Sequence, residues 1–423
     1  MIQVLQSAWA LLFGMGLLMI GNGMQGTLIG IRGEIEAFST LQMSIVVSAY
    51  FVGFLGGSRM APDMIRRVGH VRVFAALASL VSGAIILLPA APDPWVWTAG
   101  RVLIGFCFSA VYVTAESWLN NAASNETRGQ ALSLYMIVQT LGIVVAQYLL
   151  LLADPSGFVL FVIPSILVSL AITPILLSIS PTPAFETTHP TSIKELLRIS
   201  PLGCVGMFLL GGIFAAQFGM SAVYGSEAGL SVAQISTFVS TFFIGAIITQ
   251  YPIGWMSDRM DRRVLIVGVS IIGAIGAIIG ALFGENFPIL LVSAFVMGGA
   301  SNPLYSLLIA HTNDFLDPDD MAGASGGLIF INGFGAIGGP LITGWAMELV
   351  GPSGFFWFTL MLFAVLIVYG LYRTTQRAAI SVEDTGSYVP VMPNAGAMAV
   401  EVAQDIAIEE ARDETLDGSP TNG

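Results

Sequence analysis

Charge is what this chain has least of. Only 10% of its 423 residues are Asp, Glu, Lys or Arg, and 55% are hydrophobic, whereas a soluble globular chain carries about 25% charged residues. A large soluble enzyme needs far more polar surface, so the composition excludes that class and marks an integral membrane protein. Cysteine is nearly absent: Cys107 and Cys204 both sit in apolar runs, which gives neither a disulfide framework nor a metal pattern. The histidines His70, His189 and His311 lack metal-ligand spacing. Neither a Walker A sequence for nucleotide nor a nucleophile–base constellation is present, so no cofactor, metal or catalytic activity is expected. Lys and Arg number 15 against 27 acids, and nine of those acids lie beyond Arg377, where Arg412 is the one basic residue. The acidic balance belongs mostly to a tail and argues against nucleic acid as a partner.

Long apolar runs are abundant. A membrane-crossing helix needs about 20 apolar residues, and runs of that kind cover 4–29, 41–62, 71–91, 95–120, 129–152 and 157–179, then 201–224, 232–256, 263–283, 287–310, 322–347 and 354–373. The first is too long for a signal-peptide core and has no basic residues before it, so it reads as a retained helix. Basic residues set the orientation. Arg66, Arg67 and Arg72, Arg128, Lys194 and Arg198, Arg259, Arg262 and Arg263, and Arg373 and Arg377 all fall on one side, against Arg32 alone on the other. Both termini are therefore expected in the cytoplasm, with the chain in the cytoplasmic (inner) membrane.

The two sets of six runs repeat each other. "STLQMSIVVSAYFVGF" from Ser39 and "SVAQISTFVSTFFIGA" from Ser231 share seven of sixteen positions at a constant offset of 192. The same offset relates Gly14 to Gly206, Gln25 to Gln217 and Arg67 to Arg259. Matches of Gln, Ser and Arg in one register indicate parallel repeats about an axis along the membrane normal. Part of the phrase has a local cause, since Ser39 with Gln42 and Ser231 with Gln234 each fit a capping box. Gly53 and Gly57 add a close-packing surface. The expected fold is all-α, with twelve transmembrane helices in two pseudo-symmetric six-helix halves, residues 1–179 and 201–377. Residues 180–200 form a Pro- and Thr-rich cytoplasmic linker with a short helix capped by Ser192 and Glu195, and 378–423 an acidic, disordered and dispensable cytoplasmic tail.

These features resemble the major facilitator superfamily over roughly residues 4–375. The family's loop motif is similar to "GWMSDRMDRR", which keeps Gly254, Asp258 and Arg259 but has Asp261 in place of the second glycine. The first copy, "PDMIRRVGHVR", keeps Arg67, Gly69 and Arg72 but carries Pro62 and Arg66 where the motif has glycine and aspartate. "RVLIGFCFS" resembles the fourth-span arginine motif, with Arg101 and Gly105, and "AESWLN", "TRGQALSLYM" and "GAIGGP" resemble the YcaD-like branch. The Gly-Pro signature of drug/proton antiporters is missing from span 5.

Charges inside spans are costly and tend to face a cavity or each other. Two stand out, Arg101 and Glu116, both on span 4 and about 22 Å apart along a helix, so each needs its own partner. The resemblance implies proton transfer or substrate contact for Arg101. Glu116 is either a proton-coupling carboxylate or a gate residue paired with Arg67, and Asp258 and Arg259 of the second loop motif are further candidates for proton coupling or gating. Asn22, Gln25, Gln139, Gln217, Asn302 and Asn332 offer amides within spans, as helix-to-helix glue or as contacts for a polar solute. Repeat symmetry places Gln25 and Gln217 on equivalent faces. "GASGG" at 323–327 lacks the strand-turn-helix setting of a hydrolase elbow, and "NDFLDPDDM" lacks the calcium-loop pattern. The expected function is secondary active transport of a small polar or anionic solute by alternating access, proton-coupled, by a monomer in the lipid bilayer. The alternatives are a multidrug or metabolite efflux pump and a transporter-like sensor that does not transport.

Overall fold

In a bilayer every backbone N–H and C=O must be satisfied within the protein, which leaves helices as the route for chains of this composition. The computed structural model describes residues 2–122, 125–177, 192–316 and 318–376, together with 385–386, 388–391, 396, 399–400 and 402–404. The first half holds α1 (Ile2–Ile35), α2 (Thr40–Val68), α3 (His70–Ala90), α4 (Pro94–Ala122), α5 (Asn125–Leu149) and α6 (Val159–Ala171, continued by Thr173–Leu177). A short connector helix, Ile193–Ile199, leads to the second half. There α7 runs Pro201–Ala215, passes through a π-helical turn at Ala216–Met220 and ends at Ser221–Glu227. It is followed by α8 (Val232–Ser257), α9 (Arg262–Phe283), α10 (Phe287–Asn313), α11 (Pro318–Val350) and α12 (Gly354–Gln376). Among the described residues twelve helices are long and apolar enough to cross a membrane, at the twelve places expected, and there is no strand. Side chains such as Leu152, Tyr251 and Val368 project from the outer surface, where lipid would solvate them.

Both capping boxes form. The Ser39 and Ser231 hydroxyls accept from the N–H of Gln42 and Gln234 at 3.2 and 3.3 Å, and each Gln side chain accepts the Ser N–H at 2.9 Å. At the connector helix, Ser192 accepts from the N–H of Glu195 at 3.3 Å, while the linker before it, 178–191, lies outside the described residues. The repeat also shows in packing. A Cβ on Gly53 would lie 1.9 Å from the carbonyl oxygen of Val102, and one on Gly105 would lie 1.9 Å from that of Tyr50. In the second half Gly245 stands 2.2 Å from the Phe295 carbonyl by the same measure, and Gly298 2.1 Å from that of Phe242. Backbone-to-backbone contact of this kind is what small residues permit in membrane helices. It locks α2 to α4 and α8 to α10 in matching ways, with the offset grown from 192 to 193 on the second helix of each pair.

The halves meet where α2 lies along α11, α1 along the end of α7, and α5 along α8. Direct hydrogen bonds between them cluster toward the arginine-poor face: Thr40 donates to Glu227, the Leu41 N–H to Glu348 at 3.2 Å, and Ser48 to the Ile337 carbonyl at 2.5 Å. At the arginine-rich face, described residues of the tail lie between the halves. Tyr388, Val391, Ala399, Val400, Val402, Ala403 and Gln404 are all buried. These residues pack against the bundle, while most of the remaining tail lies outside the described residues. The described residues Tyr388–Val391, Gly396 and Ala399–Val400 carry no charged side chain, which suits them to a buried position.

Candidate functional site

Three polar clusters within the bundle gather most of the candidate side chains. The first joins α1, α2 and α4. The Arg101 Nη1 donates to Gln25 Oε1 at 2.6 Å, Gln25 Nε2 donates to Asn22 Oδ1 at 2.9 Å, and Asn22 Nδ2 donates to the Tyr112 hydroxyl at 2.8 Å. The guanidinium also lies over the Tyr50 ring, 4.4 Å from its centroid. Arg101 is 4% exposed, and its Nε is buried without a partner among the described residues. A full charge is thus held inside the bundle by an amide oxygen and an aromatic face, both neutral. Gly105, one turn beyond Arg101, lets α2 approach closely enough for Tyr50 to reach that position.

The second cluster lies in the other half. Ser301 of α10 donates to Gln217 Oε1 at 2.8 Å, while Gln217 Nε2 and the Tyr305 hydroxyl are buried without partners among the described residues. Gln217 sits within the π turn of α7, a departure from α-helix that is frequent at functional sites. Gln25 and Gln217 are both buried, 1% and 0% exposed, and each reaches toward the helix equivalent to the other's target, α4 or α10. Their partners differ, however, because Arg101 has no counterpart in α10. Asn302 and Asn332 are spent on backbone carbonyls, those of Gly298 at 3.3 Å and Met207 at 2.9 Å, which is helix-joining geometry. Gln139 is buried beside Tyr135.

Glu116 centres the third cluster, toward the arginine-rich face. Tyr135 donates to its Oε1 at 3.2 Å, the Gly396 N–H to Oε1 at 2.8 Å and the Ala399 N–H to Oε2 at 3.3 Å. Arg67 is exposed and is not among these partners, so the expected Glu116–Arg67 pair is absent here. The carboxylate is met instead by neutral donors, two of them from the tail. Nearby lies the second loop motif. Arg259 is exposed and stacks on Trp255, 4.4 Å from its ring. The adjacent Arg262, 3% exposed, gathers the motif: it donates to Ser257 at 3.1 Å, to the Ala310 carbonyl at 3.2 Å, to Asp314 at 2.5 Å and to the Gly386 carbonyl. Asp258 lies 3.8 Å from Arg262 and accepts the Tyr388 N–H at 2.9 Å. Burial pushes the Asp314 carboxyl above its usual range, and Arg262 opposes that shift. Arg262 was not singled out from the sequence. Its signal was the position directly after Asp261, which caps α9 through the N–H of Arg263 at 2.9 Å and so points Arg262 inward. The first copy turns instead on Gly69 at φ +82°, a backbone conformation that favours glycine.

On the opposite face, Arg32 bonds Glu36 at 2.6 Å and the Pro155 carbonyl at 2.9 Å. The lone basic residue of that face thus ties α1 to the α5–α6 loop.

A model of the Major Facilitator Superfamily matches residues 11–231 and again 202–397. The chain belongs to this superfamily. Among curated relatives, an uncharacterized MFS-type transporter of Yersinia pestis (strain Pestoides F) is 29% identical over 364 residues, covering 85% of this chain and 93% of its own. The uncharacterized MFS-type transporter YcaD of Escherichia coli O9:H4 (strain HS) is 26% identical over 369 residues, covering 86% and 94%. Among solved structures, the nucleoside transporter NupG aligns with a TM-score of 0.68 at 15% identity, over 87% of this chain and 98% of that one. A bacterial homologue of the human lysosomal transporter Spinster aligns at 0.66 and 15%, over 95% and 97%. The structural likenesses carry the fold, and the superfamily assignment makes this a multi-pass membrane transport protein.

Proposed function

We propose that this major facilitator protein is a secondary transporter of a small polar or anionic solute, working as a monomer in the cytoplasmic membrane by alternating access and coupled to protons. One observation carries the substrate class. Arg101 is a buried cation inside the bundle whose partners are neutral and whose Nε is unspent. Placing a charge in hydrocarbon is costly and marks a substrate or ion pathway, and a guanidinium is built to receive an anionic or hydrogen-bonding group. Across the interface, the unspent amide N–H of Gln217 adds a donor from the other half. A solute bridging Arg101 and Gln217 would couple the halves, which is what a rocking mechanism requires.

Glu116 is the proton-coupling carboxylate in this reading. Its partners are a phenol and two peptide N–H groups, so its protonation is not locked by an ion pair. Orientation follows from the arginine-rich face, which the positive-inside bias assigns to the cytoplasm together with both termini. The test is uptake by proteoliposomes of a panel of labelled organic anions, sugars and nucleosides, with and without an imposed pH gradient. Accumulation of one solute that depends on the gradient supports the reading. Absence of flux for every class, from folded and inserted protein both full length and stopped after Gln376, overturns it.

A further inference from the structure

The tail residues between the halves have three anchorages. At the second half, Arg262 holds the Gly386 carbonyl, and Gln250 of α8 donates to the Tyr388 hydroxyl at 3.0 Å. Ser306 of α10 accepts the Val391 N–H at 2.9 Å and donates to the Val391 carbonyl at 3.2 Å. At the first half, Glu116 accepts the N–H groups of Gly396 and Ala399. Ala399 and Val402 line the small pocket between α4 and α5 with Leu119, Arg128 and Tyr135. The third anchorage is on α10 again, where Gln404 donates to Asn313 at 2.9 Å. A chain entering a dry cleft must satisfy its own peptide groups, and here carboxylate and hydroxyl side chains of the membrane helices do so on both sides.

We propose that the described tail residues, Gly386, Tyr388–Val391, Gly396, Ala399–Val400 and Val402–Gln404, form an autoinhibitory plug, wedged between the two halves at the arginine-rich face and latched to Glu116. A rocking transporter must bring the ends of α4 and α5 toward α8 and α10 to close this face. A peptide with its side chains occupies that gap, so the plugged protein is held open there. Glu116 then has two exclusive states, bound to the tail or released to take part in transport. Gly396 is the latch point. A Cβ there would stand 2.3 Å from Glu116 Oε2 and 3.4 Å from Val113, so any longer side chain, and above all an acidic one, expels the segment with every residue of the membrane helices left unaltered.

The inference takes from the transport reading only that the halves close at this face. Its test reads distance, not solute. Spin labels at Gln130→Cys on α5 and Met256→Cys on α8, both exposed, report the gap in lipid nanodiscs by electron–electron double resonance. The native Cys107 and Cys204 are buried. Three chains are compared: full length, stopped after Gln376, and full length with Gly396→Glu. The plug predicts one long-distance population in the full chain and a second, shorter one in both variants. If the truncated chain does not yield monodisperse protein, Gly396→Glu alone decides. Identical distributions in the full chain and Gly396→Glu overturn the plug, as does a full chain that already shows the short population. Closure in the variants without solute flux in proteoliposomes would leave the plug standing and count against transport.

Discussion

Arg101 and Glu116 lie on one helix yet never meet, and the chemistry of each is set by what neutral groups it touches. For Arg101, the planar guanidinium stacks on Tyr50 and donates to Gln25, a geometry that an ammonium does not reproduce. Arg101→Lys is therefore expected to lower transport of the native solute at least tenfold, about 1.4 kcal/mol by the usual conversion, and Arg101→Gln to abolish it at unchanged membrane levels. Retained flux in Arg101→Gln would remove Arg101 from the solute path. For Glu116, the Gln variant keeps shape but cannot take up a proton. Glu116→Gln should lose gradient-driven accumulation while keeping downhill exchange of solute across the same vesicles. Accumulation that persists in Glu116→Gln would place the coupling proton elsewhere. In that event the charge-reversed pair Glu116→Arg with Arg67→Glu becomes informative, because recovery of flux lost in the singles would reveal a gate formed in another state. The sequence disclosed both charges, since a charged residue in an apolar run is conspicuous. It did not disclose that Glu116 faces peptide N–H groups, because backbone donors leave no mark in composition.

At the scale of elements, most of the design was legible. Hydropathy located the twelve helices, and the Ser–Gln pairs marked where α2 and α8 begin because a capping box needs both residues at that spacing. Removing either hydroxyl, Ser39→Ala or Ser231→Ala, should cost about 1 kcal/mol, visible as a lowered Tm in a thermal unfolding assay in detergent. No change in either variant would show that packing alone fixes these helix ends. The glycine contacts are harsher. Gly105→Leu would drive a side chain into the Tyr50 carbonyl, and overpacking of that kind costs about 1–3 kcal/mol or more. The expected result is low yield or a much reduced Tm, whereas Gly83→Leu, with nothing within 4 Å of its Cβ, should be silent. The π turn of α7 was hidden. Its residues, Ala216–Met220, have no compositional signature, since an inserted residue changes hydrogen-bond register and not hydropathy.

At the scale of the whole molecule, the duplication was readable because two copies of one phrase survive in register, and the arginines could be sorted to one face by position alone. Reporter fusions after Arg72, Arg198 and Arg263 should accordingly report cytoplasm, and one at Glu227 the exterior; an exterior signal from a basic site would overturn the orientation. The burial of the described tail residues was not legible, because the average composition of the tail, rich in acids, Pro and Gly, conceals the uncharged stretch Tyr388–Val400. The glycine-to-carbonyl contacts have a mechanical consequence as well. Where backbone touches backbone there is no side chain left to compress, so α2 with α4 and α8 with α10 behave as stiff struts. The contacts across the seam, α2 against α11 and against the π turn of α7, set larger side chains, Leu55 and Val47, against Gly333 and Gly219 and can slide. In the proposed alternating-access reading these struts make each half a rigid plate, and the seam between them is the compliant hinge on which the plates tilt.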